Sequence, residues 1–212
     1  SVTMGVIDSG IFYTHPDLTN QVWVNRPEDT ANAGTFVPAN RQGTDNDNNG
    51  WADDVIGYSF VDRPVAPQPG RYGPRDPNPR PDSLGAFSGH GTAVAGVFGA
   101  QYDNGSGMEG VAPGARVALL RAFGGDGLGR TRDIAAAILY GAEMGMDVLN
   151  MSFGRDRASP LLREVIQFAN AQGTVTVASA GNTSGDAPHY PSDYPEVLST
   201  IWLAEDGNGL PA

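Results

Sequence analysis

The chain reads as an α/β protein, a doubly wound, mostly parallel sheet flanked by helices. Three observations lead there. Short apolar runs rich in Val, Ile and Leu alternate with helix-length segments of about 12 residues. Asp8, Ser152 and Asn182 stand just past the ends of three such runs, where the sites of open parallel sheets form. Glycine is abundant, with 29 in 212 residues. That is about twice the usual share, and it implies many tight turns and close backbone approaches.

The elements follow in order. Residues 2–7 are apolar enough for a buried strand. Residues 20–87 are mostly Asn, Asp, Gly and Pro, with a short apolar piece at 55–60. Seven of the 16 prolines lie in 64–81, so 62–86 is expected to be an extended surface loop. Both its flanks carry parts of one site, which argues against a domain linker. A small-residue helix is expected over 90–101 and a strand over 115–122. Thr131 is expected to cap a helix that turns Ile134, Ile138, Ala142 and Met146 to one face. A strand follows at 147–152. Ser159 as N-cap and Pro160 in the first turn open the next helix, which Gly173 ends. Strands are expected over 174–180 and 197–203. Residues 1–212 are expected to form one domain, with a loop insertion at about 30–86 and no internal repeat.

Composition excludes several function classes. The formal net charge is −11, which argues against nucleic acid, because phosphate binding needs basic patches. It also argues against an anionic membrane surface. No run of 18 apolar residues exists, so no transmembrane helix is expected. Cysteine is absent, which rules out disulfides and thiolate chemistry within this sequence. Carboxylates in excess suit hard cations such as Ca²⁺.

Two strings carry chemistry. Val6-Ile7-Asp8-Ser9-Gly10-Ile11 sets a carboxylate at the end of an apolar strand, before a glycine turn. Ser88-Gly89-His90-Gly91-Thr92-Ala93-Val94-Ala95-Gly96 sets an imidazole at the start of a narrow helix that can pack closely on a sheet. Alone, Asp8 reads as a turn cap and His90 as a hydrogen-bonded helix-start residue. Together, a carboxylate and a histidine suit an acid–base pair that activates a nucleophile. A third string, Asp45-Asn46-Asp47-Asn48-Asn49-Gly50-Trp51-Ala52-Asp53-Asp54, alternates hard oxygen ligands around a glycine. Four carboxylates in ten residues repel one another without a cation, so Asp45, Asp47, Asn49 and Asp53, with the Trp51 carbonyl, are candidate Ca²⁺ ligands. The plain alternative is an Asx-rich turn.

The Asp and His strings resemble those of the subtilisin-like serine proteases, and the resemblance extends over nearly the whole chain except about 30–85. The order Asp, His, Ser is that of subtilisin itself. The resemblance implies that Asp8 orients His90 and that His90 is the general base. Val148-Leu149-Asn150-Met151-Ser152-Phe153-Gly154 is similar to one wall of the pocket for the residue before the scissile bond. Ala178-Ser179-Ala180-Gly181-Asn182 is similar to the opposite wall, with Asn182 as oxyanion donor. Gly127, Leu128 and Gly129 resemble the edge that pairs with substrate backbone. His189-Tyr190-Pro191 resembles the pocket-floor segment, which sets His189 near the floor. Asp17 and Asn104, with carbonyls of 102, 106 and 108, resemble a second Ca²⁺ loop. Secretion is a further implication of the family.

No Gly-Thr-Ser segment, the family's nucleophile signature, occurs in the chain, and none of its twelve serines opens such a helix. The expectation is a subtilisin-like fold incomplete at the C-terminus, whose serine lies on a separate C-terminal fragment or in a longer polypeptide. The partners expected are that fragment and a peptide or protein substrate. The rival readings are a non-catalytic fragment or binding module that keeps the scaffold, and a calcium-binding adhesion module. The second explains the acidic loop but neither the His90 string nor Ser179-Ala180-Gly181-Asn182.

Overall fold

The structure, a computed structural model, describes residues 1–61, 75–83, 85–182 and 187–202. Its strands are β1 (Thr3–Asp8), β2 (Gly57–Ser59), β3 (Arg116–Arg121), β4 (Val148–Met151), β5 (Val175–Ser179) and β6 (Leu198–Thr200). Its helices are α1 (His90–Gly99), α2 (Thr131–Glu143) and α3 (Pro160–Ala171). The six strands form one sheet in the order β2-β3-β1-β4-β5-β6. Every pairing between them is parallel.

Period-2 alternation sends successive side chains of each strand to opposite faces. Ile7, Ala118, Leu120, Leu149 and Met151 join the cluster under α2 and α3, with Ile138 and Ile166. Met4, Val6, Val117 and Leu119 join the cluster under α1, with Ala95. The sheet is therefore covered on both faces, as its near-continuous apolar strands require. Sequence order reverses between β1 and β4, so the crevice beyond their carboxyl ends is the switch point of the sheet.

Several boundaries differ from expectation for local reasons. Helix α1 ends at Gly99, because Ala100 turns to an extended backbone after its N–H reaches the Gly96 carbonyl. Thr131 does not cap α2. Arg130 holds the cap position without a side-chain bond, and the Thr131 hydroxyl instead accepts from Arg155 Nη1 at 3.1 Å. Ser159 does cap α3, its Oγ accepting from the Leu162 N–H at 3.4 Å. Strand β6 is only three residues long and exposed along its length, and Leu203 lies outside the described residues. Among the described residues no helix is long and apolar enough to cross a membrane.

Of the 62–86 segment, 62–74 and 84 lie outside the described residues. The rest is not a loose surface loop. Pro77, Pro79 and Pro81 are buried, and Asp76 exchanges two backbone bonds with Ser59 beyond β2. Arg121 at the end of β3 explains why this segment stays down. Its side chain is 1% exposed, and it donates to Asp82 Oδ2 at 2.7 Å and to the Arg80 carbonyl at 3.2 Å. A buried guanidinium needs such partners. Asp82 Oδ2 also accepts from the Gly125 N–H at 3.0 Å, so one ion pair joins two loops that rim the crevice.

Candidate active site

β1 delivers Asp8 to the crevice. Asp8 is buried, and its carboxylate accepts from the Ser9 N–H through Oδ1 at 2.7 Å. α1 begins at His90, whose Nδ1 lies 2.9 Å from both Asp8 oxygens. A carboxylate only accepts, so this contact makes Nδ1 the protonated nitrogen and leaves Nε2 as the site of proton uptake.

The two elements meet because of Gly91. A Cβ there would stand 2.5 Å from the Gly10 carbonyl oxygen and 2.9 Å from Asp8 Cβ. Any side chain at 91 would push the helix start away from β1. Ser9 adds a strap, its Oγ donating to the Phe87 carbonyl at 2.6 Å and accepting from the Gly91 N–H at 3.3 Å. Glycine and serine in these two strings thus serve the approach of two side chains that are 82 residues apart.

A cavity of about 220 Å³ opens beside the pair. Asp8, Ser9, Phe87, His90, Phe123, Gly127, Ser152, Phe153 and Gly154 are among the residues lining it. It continues into a second cavity of about 380 Å³ shared by Gly127, Leu128 and Gly129 on one side and Phe153 and Gly154 on the other. The expected substrate edge and the expected pocket wall therefore face one another across a cleft. The 127–129 stretch is irregular, and Gly127 closes a turn by donating to the Gly124 carbonyl at 3.0 Å. The Asn150 amide donates to Ser152 Oγ at 2.8 Å, which orients that wall.

The segment expected to form the opposite wall continues from β5. Ser179, Ala180 and Gly181 are half-buried, and the Ala180 N–H donates to the Thr200 carbonyl at 2.8 Å. Asn182 is exposed beyond them and lines neither cavity. The His189 ring stands between the two walls. A Cβ built on Gly154 would fall 1.9 Å from its Nε2, and one on Gly181 would fall 3.0 Å from the same atom.

The acidic loop brings together a different set from the one expected. Oxygens of Glu28, Asp45 and Asp47 lie within 4.8 Å of one another. Three carboxylates that close fit a hard divalent cation. Asp53 turns away, its two oxygens taken by the N–H groups of Gln42 and Gly43 at 2.8 Å each. Asn49 Oδ1 accepts from the Trp51 N–H at 2.7 Å, while its amide nitrogen donates to Asp54 at 2.9 Å. The Trp51 ring packs edge-on against Tyr58, Phe60 and Tyr140. Glu28 precedes the loop by 17 residues and carries no local signal of its place there.

Asp54 lies beneath this loop with Tyr140 donating to it at 2.6 Å. Burial pushes its carboxyl up from 3.8 to about 6, against the pull of the Tyr140, Asn49 and Asn25 donors. A raised folded value means this group favours the fold fully below 3.8 and loses that contribution as pH rises through about 6. At the second expected cation loop, Asn104 donates to Asp17 at 2.9 Å and the Met108 N–H donates to it at 3.2 Å. These bonds, Asn104's first, hold the Asp17 carboxyl below its ordinary value.

Comparison with known proteins decides the family. Residues 1–207 match the model described as the subtilase family. The chain belongs to the subtilases. It is 32% identical over 196 residues to the thermophilic serine proteinase of Bacillus sp. strain AK1, covering 92% of this chain and 37% of that protein. It is 28% identical over 206 residues to the major intracellular serine protease of Bacillus subtilis strain 168, covering 94% of this chain and 50% of that protein. Among solved structures, Sphericase superposes with a TM-score of 0.69 at 24% identity, over 97% of this chain and 56% of that one. The subtilase chain described here thus spans about half, or less, of the length of the relatives it matches. The parallel sheet and its flanking helices are the subtilase fold.

The residues that sequence reasoning did not single out are Phe87, Phe123, Glu28 and the Arg121–Asp82 pair. Phe87 has its ring centroid 6.4 Å from that of His90. Phe123 packs against Phe153 with the rings tilted and their centroids 4.9 Å apart. A phenylalanine has no chemistry of its own to mark it in a sequence. Only the adjacency of Phe87 to the His90 string was available as a signal.

Proposed function

We propose that this subtilase chain supplies the base, the orienting carboxylate and most of the substrate cleft of a serine endopeptidase. The observation that carries the proposal is the 2.9 Å contact of His90 Nδ1 with both oxygens of Asp8, beside an open cleft. His90 Nε2 takes the proton of a serine hydroxyl as its oxygen bonds the scissile carbonyl carbon. The same nitrogen then protonates the leaving amine as the carbon–nitrogen bond breaks, and water releases the acyl group. Asn182 donates to the oxyanion, a contribution of about 3 to 4 kcal/mol in subtilisin itself. Peptide backbone lies between 127–129 and 152–154 by β-pairing.

The serine belongs to polypeptide outside 1–212. Ser9 Oγ is engaged with the Phe87 carbonyl and Ser152 Oγ with Asn150, so neither is poised against His90. Large apolar side chains at the β6 edge support a covering segment there. Leu198 is 60% exposed, Ile201 67% and Trp202 60%. Treating the complete protein with a serine-directed phosphonate tests this. One adduct should form, on a peptide outside 1–212, and peptide hydrolysis should stop. Stoichiometric labelling of a serine within 1–212 would refute the assignment. Secretion rests on the family resemblance alone, and one matched relative carries an intracellular name.

Calcium belongs to the same proposal. Glu28, Asp45 and Asp47 would hold one ion, and Asp17 with Asn104 a second. A cation that binds only the folded state stabilises it by mass action, by about 3 kcal/mol at 100 times its Kd. Chelation should therefore lower the Tm by about 5 to 10 °C and speed self-digestion. Thermal melts with chelator and with added Ca²⁺ check this, and identical curves would remove the metal from the account.

A further inference from the structure

We propose that His189 makes this cleft select substrates whose residue before the scissile bond ends in a carboxylate, which the protonated ring binds through Nε2. The proposal rests on the endopeptidase reading above and names the substrate class for it.

The geometry begins with Ser192. Its hydroxyl donates to the His189 carbonyl at 2.7 Å, so its one proton is used. The same oxygen lies 2.9 Å from His189 Nδ1. It therefore accepts there, and Nδ1 must carry a hydrogen. In the neutral ring Nε2 is then a bare acceptor; in the protonated ring it is a cationic donor. The tautomer leaves no third state.

Nε2 lies on the ring edge that faces the gap between the two walls. It and Cε1 each stand 1.9 Å from the position of a Cβ on Gly154, and Nε2 stands 3.0 Å from that of one on Gly181. Both walls are glycine at the ring, which is why the imidazole fits between them. A side chain entering between 152–154 and 179–181 meets this ring before anything deeper. A flat aromatic side chain would have to share that gap with the ring. A carboxylate meets a charged donor when the ring is protonated, and two acceptors face one another when it is not. An amide end is indifferent by comparison, because it offers a donor to the neutral ring and an acceptor to the charged one.

Asp193, on the same turn, spends Oδ2 on the His189 N–H at 2.7 Å. Arg155, paired through its backbone with Tyr190, points its guanidinium to Thr131. Asp156 follows Arg155 and lines the second cavity, which Gly154 also lines. On the β5 side, Ser179, Ala180, Gly181 and Asn182 carry no charge.

The test uses the complete protease and a pair of peptides that differ only in Glu or Gln before the cleaved bond. The ratio of their kcat/KM values cancels the ionisation of His90, which both substrates share. A hydrogen bond to a charged group discriminates by about tenfold or more. The Glu:Gln ratio should fall at least about tenfold as pH rises across the range that takes the proton from Nε2. In His189→Gln and in His189→Gly the ratio should become flat across that range, and in His189→Gly a Phe peptide should gain on both. A flat ratio in the unmodified protease, with both peptides hydrolysed, overturns the proposal and leaves the endopeptidase reading standing. A slope that survives in either variant does the same. Hydrolysis of neither peptide overturns the proposal, and failure of the Phe peptide as well overturns the endopeptidase reading.

Discussion

Replacing His90 by Ala is expected to reduce peptide hydrolysis by about 10⁶-fold, the loss found in subtilisin itself when its histidine is removed. The reason is local to this structure. Nδ1 is committed to Asp8 at 2.9 Å, so the imidazole has one free nitrogen and one task. The ring is also on the surface side of the pair, with 42% of its side chain exposed against 5% for Asp8. Its removal opens no cavity in the core, and the fold should survive with a melting temperature within a few degrees of the unmodified protein. Steady-state kinetics together with a thermal melt separate the two effects. Near-normal turnover in His90→Ala would end the assignment of the base, and a collapsed melt would show that His90 is structural.

Asp8→Asn is expected to cost about 10⁴-fold in kcat, the size known for this change in serine protease triads. Size and shape stay the same, so the cost comes from hydrogen-bond direction. The Ser9 N–H donates to Oδ1 at 2.7 Å, which will hold the amide oxygen on that side. The amide nitrogen is then forced toward His90 Nδ1. Two donors cannot share that contact, so the ring must turn to the tautomer with hydrogen on Nε2. That nitrogen can no longer take a proton from serine. Nitrogen-15 spectra of the imidazole would report the tautomer directly, and kcat would report its consequence. Full activity with Nδ1 still protonated would contradict the orienting role.

These two predictions draw on residues that were legible in the sequence because their strings are local. Asp8 needs only an apolar strand and a glycine turn after it. His90 needs only a small-residue helix behind it. The places of 152–154 and 180–182 at the carboxyl edge of the sheet were equally legible, since each segment follows a strand by one to three residues. Legibility failed where the partner is far along the chain. Glu28 joins Asp45 and Asp47, yet nothing near residue 28 marks it as part of that loop. Asp53 sits inside the ligand-like string but spends its carboxylate on the backbone of 42 and 43. A ligand pattern specifies which residues are capable, not which way each side chain turns. Thr131 looked like a cap and proved to be the first residue of α2, since capping geometry depends on backbone angles that neighbours set.

By itself the sequence determined the alternation of strands and helices, the two-sided burial of the sheet and the residues that stand at strand ends. These depend on periodicity and on short-range sterics, which operate over a few residues. Only the tertiary structure decided the rest. It set the order β2-β3-β1-β4-β5-β6, seated the buried Arg121 on Asp82, and gathered Glu28 to the acidic loop. It also stood the His189 ring between Gly154 and Gly181 with Ser192 choosing its tautomer. Each of these joins groups distant in sequence or depends on which way a side chain turns. Close packing and the need to satisfy buried charge select one arrangement among many that the local pattern allows.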